Sequence, residues 1–272
     1  MSTQPSNKSV LISGVFLSYS LFVLILSVTL MEHEIPIEQP IQAEEKAEPV
    51  KTVSEPPKFS EIKDVNQKKQ DFFQYLLPGI NAKNASLNQE RNFLLTLKNS
   101  GYPDVVQAEE ITREFTRIAN KYKSDSLDEL LVRVDQIPSS LALAQAAIES
   151  GWGSSRFARE GNNFFGQWCY QQGCGLVPRH RIEGATHEVK VFDSVNDSIN
   201  AYFDNINTNR AYRELRQIRA DLRQQNQPLS GTALAEGLEK YSEKGYEYVE
   251  VIQTMIASNK LDAYDQTLAI KN

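Results

Sequence analysis

The chain has 272 residues, of which 40% are hydrophobic and 24% charged, the makeup of a globular protein with room for one sizeable domain and additions to it. Its net charge is −6 and its pI is near 5.3, and no basic tract offsets the acid. This balance argues against nucleic acid as a partner.

Residues 9–31 are uncharged and rich in Val, Ile, Leu and Phe, a run long enough to cross a bilayer with some tilt. Lys8 precedes the run, and Glu32 and Glu34 follow it. The positive flank is expected to stay in the cytoplasm and send the rest outward. The reading is an uncleaved membrane anchor over 1–31. A cleaved signal peptide is the alternative, although the apolar run exceeds a usual signal core and no small-x-small site follows it. Residues 32–58 hold Pro36, Pro40, Pro49, Pro56 and Pro57, with glutamate in excess of lysine and few large apolar residues. Such a segment is expected to be an extended linker. The folded part is then 59–272.

That part reads as mainly helical. Ile62, Val65, Phe72, Phe73 and Leu76 recur at helical spacing over 59–77, and Pro78 is expected to end that helix. A second helix is predicted over 87–97, with Ser86 as its cap. Pro103 opens a third, whose buried stripe is Ile111, Phe115 and Ile118. A short fourth covers 127–134. An alanine-rich helix begins after Pro138, capped by Ser139 or Ser140. Between 164 and 192 the period changes, and Gly, Cys and Pro become frequent. There 179–183, a turn at 184–186, and 187–192 read as strand, turn, strand. Helices resume at Ser194, with Val195, Ile199, Tyr202, Phe203 and Ile206 on one face. Further stripes are Tyr212, Leu215, Ile218 and Leu222; Leu234, Leu238 and Tyr241; and Tyr248, Val251, Ile252, Met255 and Ile256. The expected architecture is a helical domain interrupted by one small β-lobe, with a helical extension over 59–135 and a core over 138–265.

The alanine-rich helix runs into Glu149, and Gly151 and Gly153 stop it at once. A lone acid at a helix end is ordinarily a surface residue. Here the helix C-terminus carries partial negative charge, Trp152 is a neighbour and the preceding side chains are small. All three influences raise a carboxyl pKa. A carboxylic acid that keeps its proton near neutral pH suits protonation of a glycosidic leaving oxygen. Gly151 and Gly153 would let a polymer approach the backbone, and Trp152 offers a flat face to a sugar ring.

The segment Ala-Gln-Ala-Ala-Ile-Glu-Ser-Gly-Trp-Gly over 144–153, followed by Asn-Asn-Phe-Phe-Gly over 162–166, resembles the core motif of glycoside hydrolase family 73, N-acetylglucosaminidases that cut peptidoglycan. Phe-Gly-Gln-Trp-Cys over 165–169, Gly-Cys-Gly-Leu-Val-Pro over 173–178 and Lys-Tyr-Ser-Glu-Lys-Gly over 240–245 resemble a membrane-anchored branch of that family. The resemblance implies a lysozyme-like helical fold with a β-lobe, Glu149 as general acid and N-acetylglucosaminyl bonds as substrate. It implies no cofactor and no metal. It places the domain in the periplasm on a single-pass anchor in the inner membrane, with peptidoglycan glycan strands as its partner.

A glycosidase ordinarily needs a second carboxylate across the cleft. The family's second acid lies on the first strand of a hairpin, often after Thr. Glu183 fits that strand position without the Thr; Glu188, beyond the turn, is the alternative. Inverting, retaining and substrate-assisted routes all stay open. Tyr241 matches a family tyrosine near the acid, although Tyr-Ser-Glu-Lys stands where the family has Tyr-Ala-Thr-Asp. Asn163 and Phe164 are expected to line the cleft. Tyr246 and Tyr248 extend a sugar-stacking wall, with core packing an equal reading for Tyr248.

Cys169 and Cys174, the two cysteines of the chain, are close enough to form a disulfide outside the cytoplasm. Free thiols or a zinc site with His180 and His187 are alternatives; the histidine spacing is poor for zinc. Two other functions compete with an N-acetylglucosaminidase. One is cleavage after N-acetylmuramic acid, hydrolytic or lytic; the other is a wall-binding scaffold without activity.

Overall fold

The computed structural model describes residues 56–101, 109–179, 181, 184–239 and 245–268. The expected anchor, nearly all of the linker, Pro103, His180, Glu183 and Tyr241 lie outside the described residues. Among the described residues, no helix is long and apolar enough to cross a membrane.

Helix α1 (Val65–Asn99) runs through Pro78, where the sequence predicted a stop and a second helix beyond it. Pro78 has no N–H to give the preceding turn, which costs about 3 kcal/mol in a helix interior. Tertiary packing outweighs that cost. Phe72, Phe73 and Leu76 before the proline, and Ile80, Leu87, Leu94 and Leu97 after it, are all buried. Each contributes roughly 1.5–3 kcal/mol by leaving water. Gly79 admits the neighbouring helix: a Cβ there would lie 2.5 Å from Asn196 Oδ1 and 2.7 Å from Ile199 Cδ1. Asp64 caps the helix by accepting from the Gln67 amide at 2.7 Å.

Helices α2 (Glu109–Tyr122) and α3 (Leu127–Arg133) follow. The loop after α3 is fixed by buried polar groups. Asn84 of α1 donates to the Ile137 carbonyl and accepts from its amide, at 2.9 and 3.0 Å. Arg219, fully buried, donates to the Asp135, Gln136, Val132 and Arg133 carbonyls and to Asn207 Oδ1. Burial opposes ionisation of Asp135, but Arg219, Arg223 and Arg91 hold its carboxyl below the usual range. Buried charges persist when they are paired and hydrogen-bonded in this way.

Helix α4 (Ser139–Ser150) is the central strut. Leu141 through Ala147 are all buried, and the four alanines let α1 and the 3₁₀ segment Leu261–Leu268 pack close. Neither serine caps the helix by its side chain, contrary to expectation: both are buried, and Pro138 is the cap residue. Asp265 serves the N-terminus instead. Its carboxylate accepts from the Ser140 amide at 2.8 Å, from Ser140 Oγ at 2.6 Å and from the Gly231 amide at 3.2 Å.

After α5 (Arg156–Gly161) comes the lobe, three short strands β1 (Trp168–Cys169), β2 (Gly175–Leu176) and β3 (Glu188–Lys190). They pair antiparallel in the order β1-β3-β2, with Trp168 opposite Val189 and Gly175 opposite Lys190. The second predicted strand contains β3. Its partners lie at 168–169 and 175–176, and neither Arg179 nor Arg181 is in a strand. The physical reason is a clamp. Cys169 and Cys174 form the expected disulfide, and Glu188 accepts from the Gly173 and Gly175 amides at 3.0 and 2.8 Å. Gly175 is required there, since a Cβ would lie 2.0 Å from the Val189 carbonyl oxygen.

The remaining elements are α6 (Val195–Thr208), α7 (Arg213–Gln224), α8 (Gly231–Ala235) and α9 (Tyr246–Ser258), with 3₁₀ turns at Arg210–Tyr212 and Glu236–Leu238. One hydrophobic core joins α1 to α4, α6 and α9. The molecule is mainly α, as its periodicity indicates.

Candidate active site

Glu149 occupies the last turn of α4, half-buried. Gly151, Trp152 and Gly153 all have positive φ, at 55°, 58° and 72°. This run ends the helix and turns the chain back under the glutamate. Ser150 Oγ donates to the Ala146 carbonyl and accepts from the Gly153 amide, both inside the core. Gly151 faces open space. Gly153 does not: a Cβ there would lie 2.3 Å from the Phe59 ring. The second glycine therefore serves packing, whereas the first fits an approach from outside.

Glu149 is gripped from two sides. Gly166, at the end of the Asn-Asn-Phe-Phe-Gly loop, lies against it; a Cβ on Gly166 would sit 3.1 Å from Glu149 Oε2. Glu149 Oε1 accepts from Tyr248 Oη at 3.0 Å. Tyr248 in turn accepts from Gln145 Nε2 at 3.2 Å, and Gln145 Oε1 accepts from Tyr202 Oη at 2.7 Å. Tyr202 is fixed by stacking on Phe165, with ring centroids 4.0 Å apart. Every donor in this relay points toward Glu149. With Oε1 accepting from Tyr248, the acid's proton is assigned to Oε2, the oxygen beside Gly166.

Burial pushes the Glu149 carboxyl above its ordinary range, and the Tyr248 hydrogen bond partly opposes this. Among the described residues no ion pair neutralises it. Its negative charge reaches the buried Tyr212, whose phenol is pushed up first by burial and then by Glu149. The arrangement is a desolvated acid held by one phenol, suited to general acid catalysis.

The other expected site residues are placed as follows. Trp152 packs edge-on against Phe72 and Phe73, with the Lys69 ammonium 5.1 Å from its ring centroid. Asn163 is buried; its Nδ2 donates to the Gln167 and Lys190 carbonyls at 2.8 Å, and its Oδ1 accepts from the Gln167 amide. Phe164 is buried against Phe72 and Tyr75. Asn163 and Phe164 are thus buried supports, whereas Trp152 stays partly exposed. Tyr246 is exposed at the start of α9. Glu188 is buried in the lobe, and the Gly173 and Gly175 amides hold its carboxyl below the ordinary range. Both its oxygens are engaged, which makes it a loop anchor. Gln145 and Tyr202 stood in the sequence as part of the motif and of a helical face, not as site residues; their polar atoms inside an otherwise apolar stripe are the signal that could have marked them.

Residues 124–261 match the family model described as glucosaminidase, mannosyl-glycoprotein endo-beta-N-acetylglucosaminidase. The chain is also 34% identical over 197 residues to protein bax of Escherichia coli (strain K12), a match covering 71% of this chain and 70% of that protein. No solved structure matches the chain. Helix α1 falls outside the span matched by the family model, yet its Phe72 and Phe73, with Phe59 before it, support the turn that carries Glu149.

Proposed function

This chain belongs to the glucosaminidase family, and from that premise we propose that it is a peptidoglycan hydrolase, an endo-β-N-acetylglucosaminidase with Glu149 as general acid. The observation that carries the proposal is the half-buried carboxyl of Glu149, without an ion-pair partner among the described residues, at the end of the Tyr202–Gln145–Tyr248 relay. The bond cut is the β-1,4 link between N-acetylglucosamine and N-acetylmuramic acid. Glu149 gives the proton on Oε2 to the glycosidic oxygen as the C1–O bond breaks. Water then completes hydrolysis at C1, and the carboxylate recovers its proton.

The helical domain with its β-lobe is read as lysozyme-like, the lobe forming the far wall of the cleft. Glu188 is occupied by two backbone amides, so the second carboxylate falls to Glu183, and the substrate's own acetamido group is the other route. Tyr241 and Tyr246 are proposed to orient the sugar. Membrane anchorage through 1–31, with the domain in the periplasm, rests on the apolar run and its charged flanks. The disulfide supports an oxidising compartment. A stretched 32–58 tether reaches at most about 90 Å, enough to search a nearby wall.

Reducing-end analysis of digested sacculi tests the bond assignment. New N-acetylglucosamine ends are expected. N-acetylmuramic acid ends, or their anhydro form, would instead place the enzyme among muramidases or lytic enzymes. Binding to sacculi without any released fragment would establish the scaffold reading.

A further inference from the structure

Trp168 is an indole left in water. It is 55% exposed on β1, although large aromatic side chains contribute most when buried. Its orientation is nevertheless fixed. The His187 imidazole stacks on it, with centroids 4.2 Å apart and planes 14° from parallel. The contact is diagonal to the Trp168–Val189 pair and comes from the residue just before β3. One indole face is covered and the rest of the ring is presented to solvent.

The position matters as much as the exposure. Gly166 lies against the Glu149 carboxyl, and Trp168 follows it by two residues. Two residues of chain span at most about 7 Å. The backbone that carries the indole thus lies within about 7 Å of the residue against the acid, on a strand fixed by Asn163 and by the Cys169–Cys174 disulfide. Gln171, Gln172 and Lys190 are exposed on the same lobe, and so are Tyr170, at 71%, Val177 and Val191. A flat ring held rigid by His187, with hydrogen-bonding side chains close by in the chain, fits the apolar face of a sugar.

We propose that Trp168, held in place by His187, is a stacking platform for an N-acetylhexosamine ring of the glycan strand whose bond lies at Glu149. This rests on the glycosidase assignment above and adds to it a binding residue on the lobe. The platform is preorganised, so the sugar does not have to order it on binding.

The test uses the full chain carrying Glu149→Gln and a soluble β-1,4-linked N-acetylglucosamine oligomer. The chain has two tryptophans, and the partly exposed Trp152 lies three residues after Glu149, so the part of a ligand-induced emission change that Trp168→Ala removes is the part that reports on Trp168. Adding Trp168→Ala should diminish the emission change and weaken affinity, read by calorimetry, about tenfold, the effect of removing one apolar contact face. Trp168→Phe should retain part of the affinity. On the Glu149 background, Trp168→Ala should raise KM while leaving kcat within a few fold. Unchanged affinity and KM, with sacculi still digested, would overturn the platform and leave the glycosidase assignment standing. Absence of both binding and digestion in the wild type would remove both. Concentration-dependent sedimentation that Trp168→Ala abolishes, with glycan affinity unchanged, would make the ring a self-association surface and also overturn the proposal.

Discussion

Glu149 sits at the end of three hydrogen bonds whose donors all point toward it, and this direction has consequences for pH. A general acid must be protonated, so turnover should fall as pH rises through the raised pKa of Glu149. Tyr248 lowers that pKa by stabilising the carboxylate. Tyr248→Phe should therefore move the alkaline limb of the kcat profile to higher pH. It should also lower thermal stability by about 1–3 kcal/mol, because Gln145 Nε2 loses a buried partner. A limb that stays in place would detach Tyr248 from the acid. Stability carries the same sign. The folded-state pKa of Glu149 lies above its unfolded value, so its favourable contribution is complete below the ordinary glutamate pKa and is lost as pH rises through the folded value. Glu149→Gln should accordingly melt higher than the wild type near pH 7, with the difference vanishing on acidification below the ordinary glutamate range. The address of Glu149 was legible in the sequence because Gly-Trp-Gly and the helix end are local. Its relay was not, because Tyr248 lies 99 residues away and reads as one more apolar position on α9.

At the scale of elements, Pro78 and Gly79 make a matched pair of tests. Pro78 is exposed and only interrupts the hydrogen-bond ladder, so Pro78→Ala should stabilise the protein, by up to about 3 kcal/mol in chemical denaturation. Gly79→Ala gains about 1 kcal/mol in helix propensity. It also drives a methyl into Asn196 and Ile199, an overpacking cost of about 1–3 kcal/mol, so net destabilisation is expected. Local rules predicted a break at this pair. They fail because the deciding contacts are with α6, more than a hundred residues on, and no window around Pro78 contains them. The lobe fails for the same reason. The alternation at 179–183 suggested a strand, but Glu188 and the disulfide draw β3 onto 168–176 instead. The helical stripe over 195–206 was legible, since it buries a single face against the core; in the last stripe Tyr248, Ile252 and Ile256 are buried, but Val251 is exposed.

At the scale of the whole molecule, the core does not respect a boundary between extension and catalytic part. Phe59 fills the space that Gly153 leaves open, and Phe72 and Phe73 hold Trp152. Deleting residues before Val65 should therefore loosen the Glu149 turn, and Phe59→Ala alone should cost about 3–5 kcal/mol. The disulfide is different in kind. It closes a short loop, contributing roughly 2 kcal/mol by chain entropy, and reduction should affect the lobe before the helical core; hydrogen exchange over 168–190 would register that order. Length, composition and helical periodicity were enough to anticipate a mainly helical body with a small lobe. The Phe59–Gly153 contact was beyond them, since nothing in either residue names the other. The central claim is that a protonated Glu149 cleaves the glycan, and its most direct test is fragment release from purified sacculi by the wild type and by Glu149→Gln. A folded variant with turnover reduced by at least about 10²–10⁴ is predicted; release within a few fold of the wild type would contradict it.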